Sequence, residues 1–189
     1  MSTTTGQRPM RADARRNYER LLAEAKASFL EHGADASLEE IARRAGVGIG
    51  TLYRHFPTRL ALQEAVYRVE MDELAAKAYE LAETAPPEEG LAAWILTISQ
   101  YSRKKRGLTQ TLKAVIDLQS ETFIRCHEDI EQAAETVLTR AQEAGTARPD
   151  LRPCDVLRLA HALSVASERA PEDTELLLSF MMDGLRPRS

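Results

Sequence analysis

Ser37-Leu38-Glu39-Glu40-Ile41-Ala42-Arg43-Arg44-Ala45-Gly46-Val47-Gly48-Ile49-Gly50-Thr51-Leu52-Tyr53-Arg54-His55-Phe56-Pro57-Thr58-Arg59 is the stretch of this 189-residue chain that decides the fold. Ser37 followed three residues later by Glu40 has capping-box spacing, so a helix begins there with Leu38, Ile41, Ala42 and Ala45 on its inner face. Gly46-Val47-Gly48 interrupts it, and the two glycines are expected to provide the positive φ that a tight turn demands. A second short helix runs from Ile49 to Phe56, burying Leu52 and Phe56, until Pro57 prevents its continuation. Each helix is about eight residues long, and the small Ala42 lets the two approach closely.

Outward from this core the periodicity stays helical. Upstream, Tyr18, Leu21, Leu22, Ala25 and Phe29 follow helical spacing and Gly33 supplies a stop. Downstream, a longer helix is predicted from near Thr58 to about Glu83, before Pro86-Pro87. Then come a stripe of Leu91, Trp94, Ile95, Ile98 and Tyr101, and another of Phe123, Cys126, His127, Ile130, Ala134, Val137 and Ala141. Gly145 and Pro149 mark a loop, followed by helices at about 155–169 and 172–185 separated by Pro171. No alternation of β type has useful length and no segment repeats, so the chain reads as all-α. The expected organisation is a flexible basic arm over 1–12, a three-helix unit over 13–57, a connecting helix over 58–85 and a helical C-terminal domain over 86–189.

Composition agrees with helices. Hydrophobic residues make up 43%, charged residues 29% and aromatics only 5%, which suits a globular helical chain better than sheet or disorder. No apolar run approaches the ~20 residues of a membrane-spanning helix. The N-terminus lacks the apolar core of a signal peptide, and a cytoplasmic location is expected. Cys126 and Cys154 form no disulfide framework and have no neighbour at metal-ligand spacing; small core or surface side chains are their simplest role. The net charge of −4 is unevenly divided. Of 25 basic and 29 acidic residues, ten and seven lie in residues 1–60, so the front carries +3 and the remainder −7. That asymmetry suits a front end facing a polyanion.

Two short helices with a three-residue glycine turn are the dimensions of a helix-turn-helix, whose second helix enters the major groove. With Leu52 and Phe56 inward, the residues Ile49, Gly50, Thr51, Tyr53, Arg54 and His55 are left for solvent or a partner. Tyrosine and histidine beside glycine and threonine suit contact with phosphates and base edges more than plain solvation. Arg59 falls in the first turn of the next helix, where the dipole disfavours a cation by a few tenths of a kcal/mol. A bound anion such as a DNA phosphate would explain it.

The string from Ser37 to Arg59, with Leu62 beyond it, resembles the signature of the TetR family of transcriptional regulators, most specifically in the core Gly50-Thr51-Leu52-Tyr53-Arg54-His55-Phe56. The likeness extends from about Arg15 to Val69. It implies phosphate contacts from Thr51, Tyr53 and His55, with Arg59 where lysine is usual, and another phosphate at the Ser37 cap. It implies base-edge contacts from Ile49, Gly50 and Tyr53, with Arg43 or Arg44 as supplementary contacts to bases or phosphates; two solvated charges are the alternative for that pair. Arg8 and Arg11 would enter a flanking minor groove, or remain a solvated arm. Ile49 and Gly50 cannot make bidentate hydrogen bonds, so thymine methyls and DNA shape are expected to contribute more to readout.

For the C-terminal part, the resemblance implies an internal ligand pocket and a homodimer through the helices near 155–169 and 172–185, whose Leu/Ala/Met-rich faces exceed what a small monomer buries. Internal packing of those faces is the alternative. Pocket candidates are Trp94, Tyr101, Phe123, His127 and His161, for each of which core packing with satisfied hydrogen bonds is an equal option. Arg103-Lys104-Lys105-Arg106 ends a helix, where positive charge complements the dipole. No metal site and no cofactor are expected. There is no Gly-rich phosphate loop, nucleophile elbow or catalytic His/Cys/acid array, so an enzyme is not expected either; a carrier module without DNA binding is the remaining alternative. The partners implied are double-stranded operator DNA, a second copy and an unidentified small-molecule inducer. Repression relieved by that molecule is the commoner family mode, with the fourth helix as lever.

Overall fold

The computed structural model describes residues 7–33, 35–104 and 121–187, with the backbone alone for 7–11 and 104. Among them are eight α-helices and no strand: α1 (Gln7–His32), α2 (Leu38–Arg44), α3 (Ile49–His55), α4 (Arg59–Thr84), α5 (Pro87–Lys104), α6 (Glu121–Glu143), α7 (Pro153–Ala166) and α8 (Thr174–Leu185), with a 3₁₀ turn at Pro171–Asp173. None of the described helices is long and apolar enough to cross a membrane.

The start of α1 differs from the pattern reading, which takes the first dozen residues as an arm. Among the described residues, helix already runs from Gln7, eleven residues before Tyr18, the first periodic apolar position. Pro9 does not prevent this, because its missing N–H falls among the first four, which have no partner inside a helix. The side chains of Arg8, Arg11 and Lys104, and the whole of Lys105 and Arg106, lie outside the described residues.

Two compact units divide within α4, one up to Arg68 and the other from Val69 onward. In the first, α2 packs against both α1 and α3. Leu21, Phe29, Ile41, Leu52 and Leu62 are fully buried and form its core. The first ten residues of the long helix therefore belong with the short ones and are more than a linker. In the second unit α5 packs against α7, α6 and α8, and α7 against α6 and α8. Trp94, Leu91, Ile95, Leu138 and Leu163 are its largest buried apolar side chains.

The glycines of the turn behave differently from one another. Gly46 has φ +68, its N–H reaches the Arg43 carbonyl at 3.1 Å, and the Val47 N–H reaches Ala42 at 3.0 Å. This is a Schellman stop, which favours glycine. Gly48 is instead the N-cap of α3 at φ −73, ψ 151, which any residue adopts, so the expected positive φ is needed at Gly46 alone.

Candidate nucleic-acid interface

Ser37 caps α2 in an extended conformation, its Oγ accepting from the Glu40 N–H at 3.3 Å. Glu40 does not complete the expected capping box. Its carboxylate takes two hydrogen bonds from Arg43, at 2.6 and 2.8 Å, which lower its pKa and raise that of Arg43. The Ser37 hydroxyl donates to Glu39 at 3.1 Å. Glu39 is held below the usual carboxylate range first by its own backbone amide, then by Ser37, with the Arg59 charge contributing least. An anion arriving at Ser37 therefore meets two carboxylates, offset by Arg43 and Arg59.

The two arginines that close α2 have separate roles. Arg43 projects outward with three quarters of its side chain exposed. Arg44 turns back onto α1, where its guanidinium donates to Glu31 at 2.9 Å and Glu24 at 3.0 Å; those two bonds raise its pKa, Glu31 foremost. Arg44 is thus a strut fixing α2 against α1. Arg59 also has an internal partner, its Nη1 donating to the Ala36 carbonyl at 2.6 Å. That bond gives a cation at the start of α4 a reason besides a bound anion, and any Arg59 substitution perturbs the loop entering α2 as well.

On α3 the buried side is Leu52 and the adjoining Phe56. Ile49 and Tyr53 are 36% and 46% exposed, and Gly50 and Arg54 are exposed beside them. Positions 49, 50, 53 and 54 are neighbours on one helical face. Arg54, outside the contacts that the family resemblance implies, joins this face through its spacing of four from Gly50. Thr51 and His55 are half-buried at the margin. His55 meets the Tyr18 ring edge-on at 5.8 Å, and Tyr18 also stacks on Phe56 at 5.1 Å. Arg68 Nη2 donates to the Tyr18 hydroxyl at 3.5 Å. His55 is therefore partly a packing residue, braced from α1, and presents only part of its ring outward.

Residues 21–66 match the family described as bacterial regulatory proteins, tetR family, and residues 86–187 match the C-terminal domain of SbtR-like transcriptional regulators. The TetR transcriptional regulator SCO0520 from Streptomyces coelicolor shares 38% identity and a TM-score of 0.75, over 90% of this chain and 99% of that one. The chain belongs to the TetR family of transcriptional regulators. The TetR transcription regulatory protein from Mycobacterium vanbaalenii is similar too, with 33% identity and a TM-score of 0.76 over 94% of this chain and 99% of its own. The HTH-type transcriptional regulator SAR0097 of Staphylococcus aureus (strain MRSA252) is 38% identical over 71 residues, 36% of this chain; the chain spans only 37% of that relative's length.

Of the five pocket candidates in this TetR-family chain, Phe123 and His127 are in contact. Trp94 is fully buried and its Nε1 donates to the Leu74 carbonyl at 3.2 Å, the bond expected of a core residue. Tyr101 donates to Glu70 at 3.3 Å. His127 is exposed and stacks nearly parallel on the half-buried Phe123 at 6.5 Å, and His161 is exposed on α7. Both histidines lie one position past a buried residue, Cys126 and Ala160, which turns them about 100° from the inner face. Among the described residues no three His, Cys, Asp or Glu side chains gather as a metal site. The notable polar residue inside this unit is one that sequence reading missed. Glu70 is 2% exposed, on a stripe shared with Val66 and Leu74 at intervals of four, and an acid in that register was the available signal.

Proposed function

We propose that the chain is a ligand-responsive regulator in the cytoplasm that binds double-stranded operator DNA as a homodimer and, as a repressor, releases it when a small molecule binds. The observation that carries this reading is the outer face of α3, where Ile49, Gly50, Tyr53 and Arg54 stand exposed on a helix braced from behind by Leu52, Phe56 and Tyr18. A rigid helix with an aromatic and cationic outer face is what docking in a major groove needs. In this reading Ile49, Gly50, Tyr53 and Arg54 meet base edges and adjacent phosphates. Thr51, His55 and Ser37 meet phosphates, and Arg43 supplies a nearby charge. Arg44 and Arg59 act by holding α2 and its entry loop in place.

A second copy is supported by α7 and α8, where Val165, Leu176 and Phe180 are 47%, 52% and 62% exposed. Unpartnered apolar surface of that size on two consecutive helices fits a four-helix contact between identical chains. Two α3 helices set ~34–36 Å apart then meet successive major grooves. A ligand favouring a different spacing releases the DNA by no more than its differential affinity for the two states. The reading assigns no catalysis.

A gel-shift with DNA upstream of the chain's own coding region tests the reading. Binding that prefers that sequence, with log affinity falling about 0.9 per phosphate contact per log unit of salt, supports it. Equal affinity for unrelated duplexes, or none, refutes it.

A further inference from the structure

We propose that Gly48-Ile49-Gly50 reads a thymine methyl in the operator, with Ile49 as an apolar knob and the two glycines as bare shoulders that let the duplex seat against the backbone. This rests on the operator-binding reading and names the base chemistry at its centre. In this molecule a glycine required by the fold shows either a positive φ or a crowded Cβ position. Gly46 needs its φ of +68. At Gly90 an added Cβ would lie 3.2 Å from the Leu81 carbonyl oxygen, so close helix packing requires it.

Gly48 and Gly50 satisfy neither condition. Both have ordinary backbone, and a Cβ added to either meets nothing within 4 Å. Gly50 sits inside α3, where alanine is the better helix former. Gly48 is an N-cap with no side-chain hydrogen bond, where serine would provide one. The fold would gain from a side chain at both positions, so the room they leave is of use to something outside the chain. Between them Ile49 is exposed and has no polar atom. The apolar feature that a major groove offers such a residue is the C5-methyl of thymine.

The test begins with a pool of random duplexes of about 30 base pairs enriched on the full-length protein. Each thymine of the winning duplex is then replaced singly by deoxyuridine. We expect one or two thymines per half-site whose lost methyl weakens binding about fourfold, and Ile49→Ala to erase that difference. Gly50→Ala should weaken the same duplex about tenfold by overpacking the contact. Gly48→Ser should weaken it too, and both variants should melt no lower than wild type. Methyl-indifferent binding at every thymine, or wild-type affinity in both glycine variants, overturns the proposal while leaving operator binding intact. If wild type enriches no sequence at all, the operator reading fails and this one with it.

Discussion

Two surfaces of this regulator leave large apolar side chains in water, and their surroundings differ. On α3, Ile49 and Tyr53 stand among Gly50, Thr51, Arg54 and His55. On α7 and α8, Val165, Leu176 and Phe180 adjoin the half-buried Leu177, Leu178 and Met181. The first is a narrow ridge of mixed chemistry, held from behind by Tyr18 and by the Arg44 strut to Glu24 and Glu31. The six side chains named in the second are all uncharged and apolar. In the proposed function each patch of exposed apolarity meets a partner, and the flanking residues distinguish the two. A bare, cationic ridge suits a polar, charged duplex, and an uncharged apolar patch suits its own copy.

The largest effect expected from that contrast is on assembly. Phe180→Asp replaces a ring worth about 1.5–3 kcal/mol on burial, twice over in a symmetric dimer, and adds two carboxylates to desolvate. Sedimentation should show monomers at concentrations where wild type is dimeric, with unfolding of the monomer little changed because the ring is 62% exposed. A Phe180→Asp protein that still sediments as a dimer would remove α8 from the interface. Next in size, Tyr53→Ala should weaken every duplex by about 1–2 kcal/mol, with the salt slope unchanged because a neutral phenol releases no counterion, and with the melting temperature unchanged. Unaltered DNA affinity in this variant would mean that the two surfaces had been assigned the wrong way round.

The same contrast explains what was legible in the sequence. The α2–α3 unit could be read residue by residue because each position answers a local rule: a serine cap, a glycine at φ +68, a proline stop, and an inner face of Leu52 and Phe56. Helix content and the inward stripes of the second unit were equally visible. Side-chain partnerships were not. Arg44 turning to Glu24 and Glu31, and Arg59 to the Ala36 carbonyl, depend on approaches between elements 13 to 23 residues apart. Spacing alone made Arg59 look like a phosphate ligand and Arg44 like a DNA contact or a solvated charge. The exposure of His127 and His161 was hidden for a different reason: at the edge of an apolar stripe, a shift of one residue moves a side chain from the interior to solvent. Glu70 was hidden because an acid on a long charged helix looks ordinary until its burial is known.

A smaller effect separates glycines that serve the fold from glycines that serve a partner. Gly46→Ala forces an L-residue to φ +68 and should cost about 1 kcal/mol in chemical unfolding, with steric crowding adding little because the new Cβ would lie 3.5 Å from Arg20. Gly48→Ala, at φ −73, has no such backbone penalty. Equal losses in the two variants would erase the distinction drawn between them.

The smallest effect concerns acid, and it divides the two surfaces by how each is anchored. Beneath the apolar face, α7 opens on Asp155, which accepts from the Arg152 N–H at 3.2 Å, from the Arg152 guanidinium at 2.9 and 3.0 Å, and from Arg158 at 3.1 Å. The Arg152 side-chain bonds, opposed by some burial, are the main reason its pKa falls from 3.8 to about 2. A carboxylate depressed on folding stabilises the native state at any pH above its unfolded value, and that contribution is lost as pH falls through the folded one. The window is therefore about pH 4 to 2. Asp155→Asn should lower the melting temperature slightly and by a constant amount from neutral pH down to about 4, and the gap to wild type should close as pH approaches 2. A gap that persisted unchanged at pH 2 would show that the side chain acts through its neutral hydrogen bonds and not through its charge.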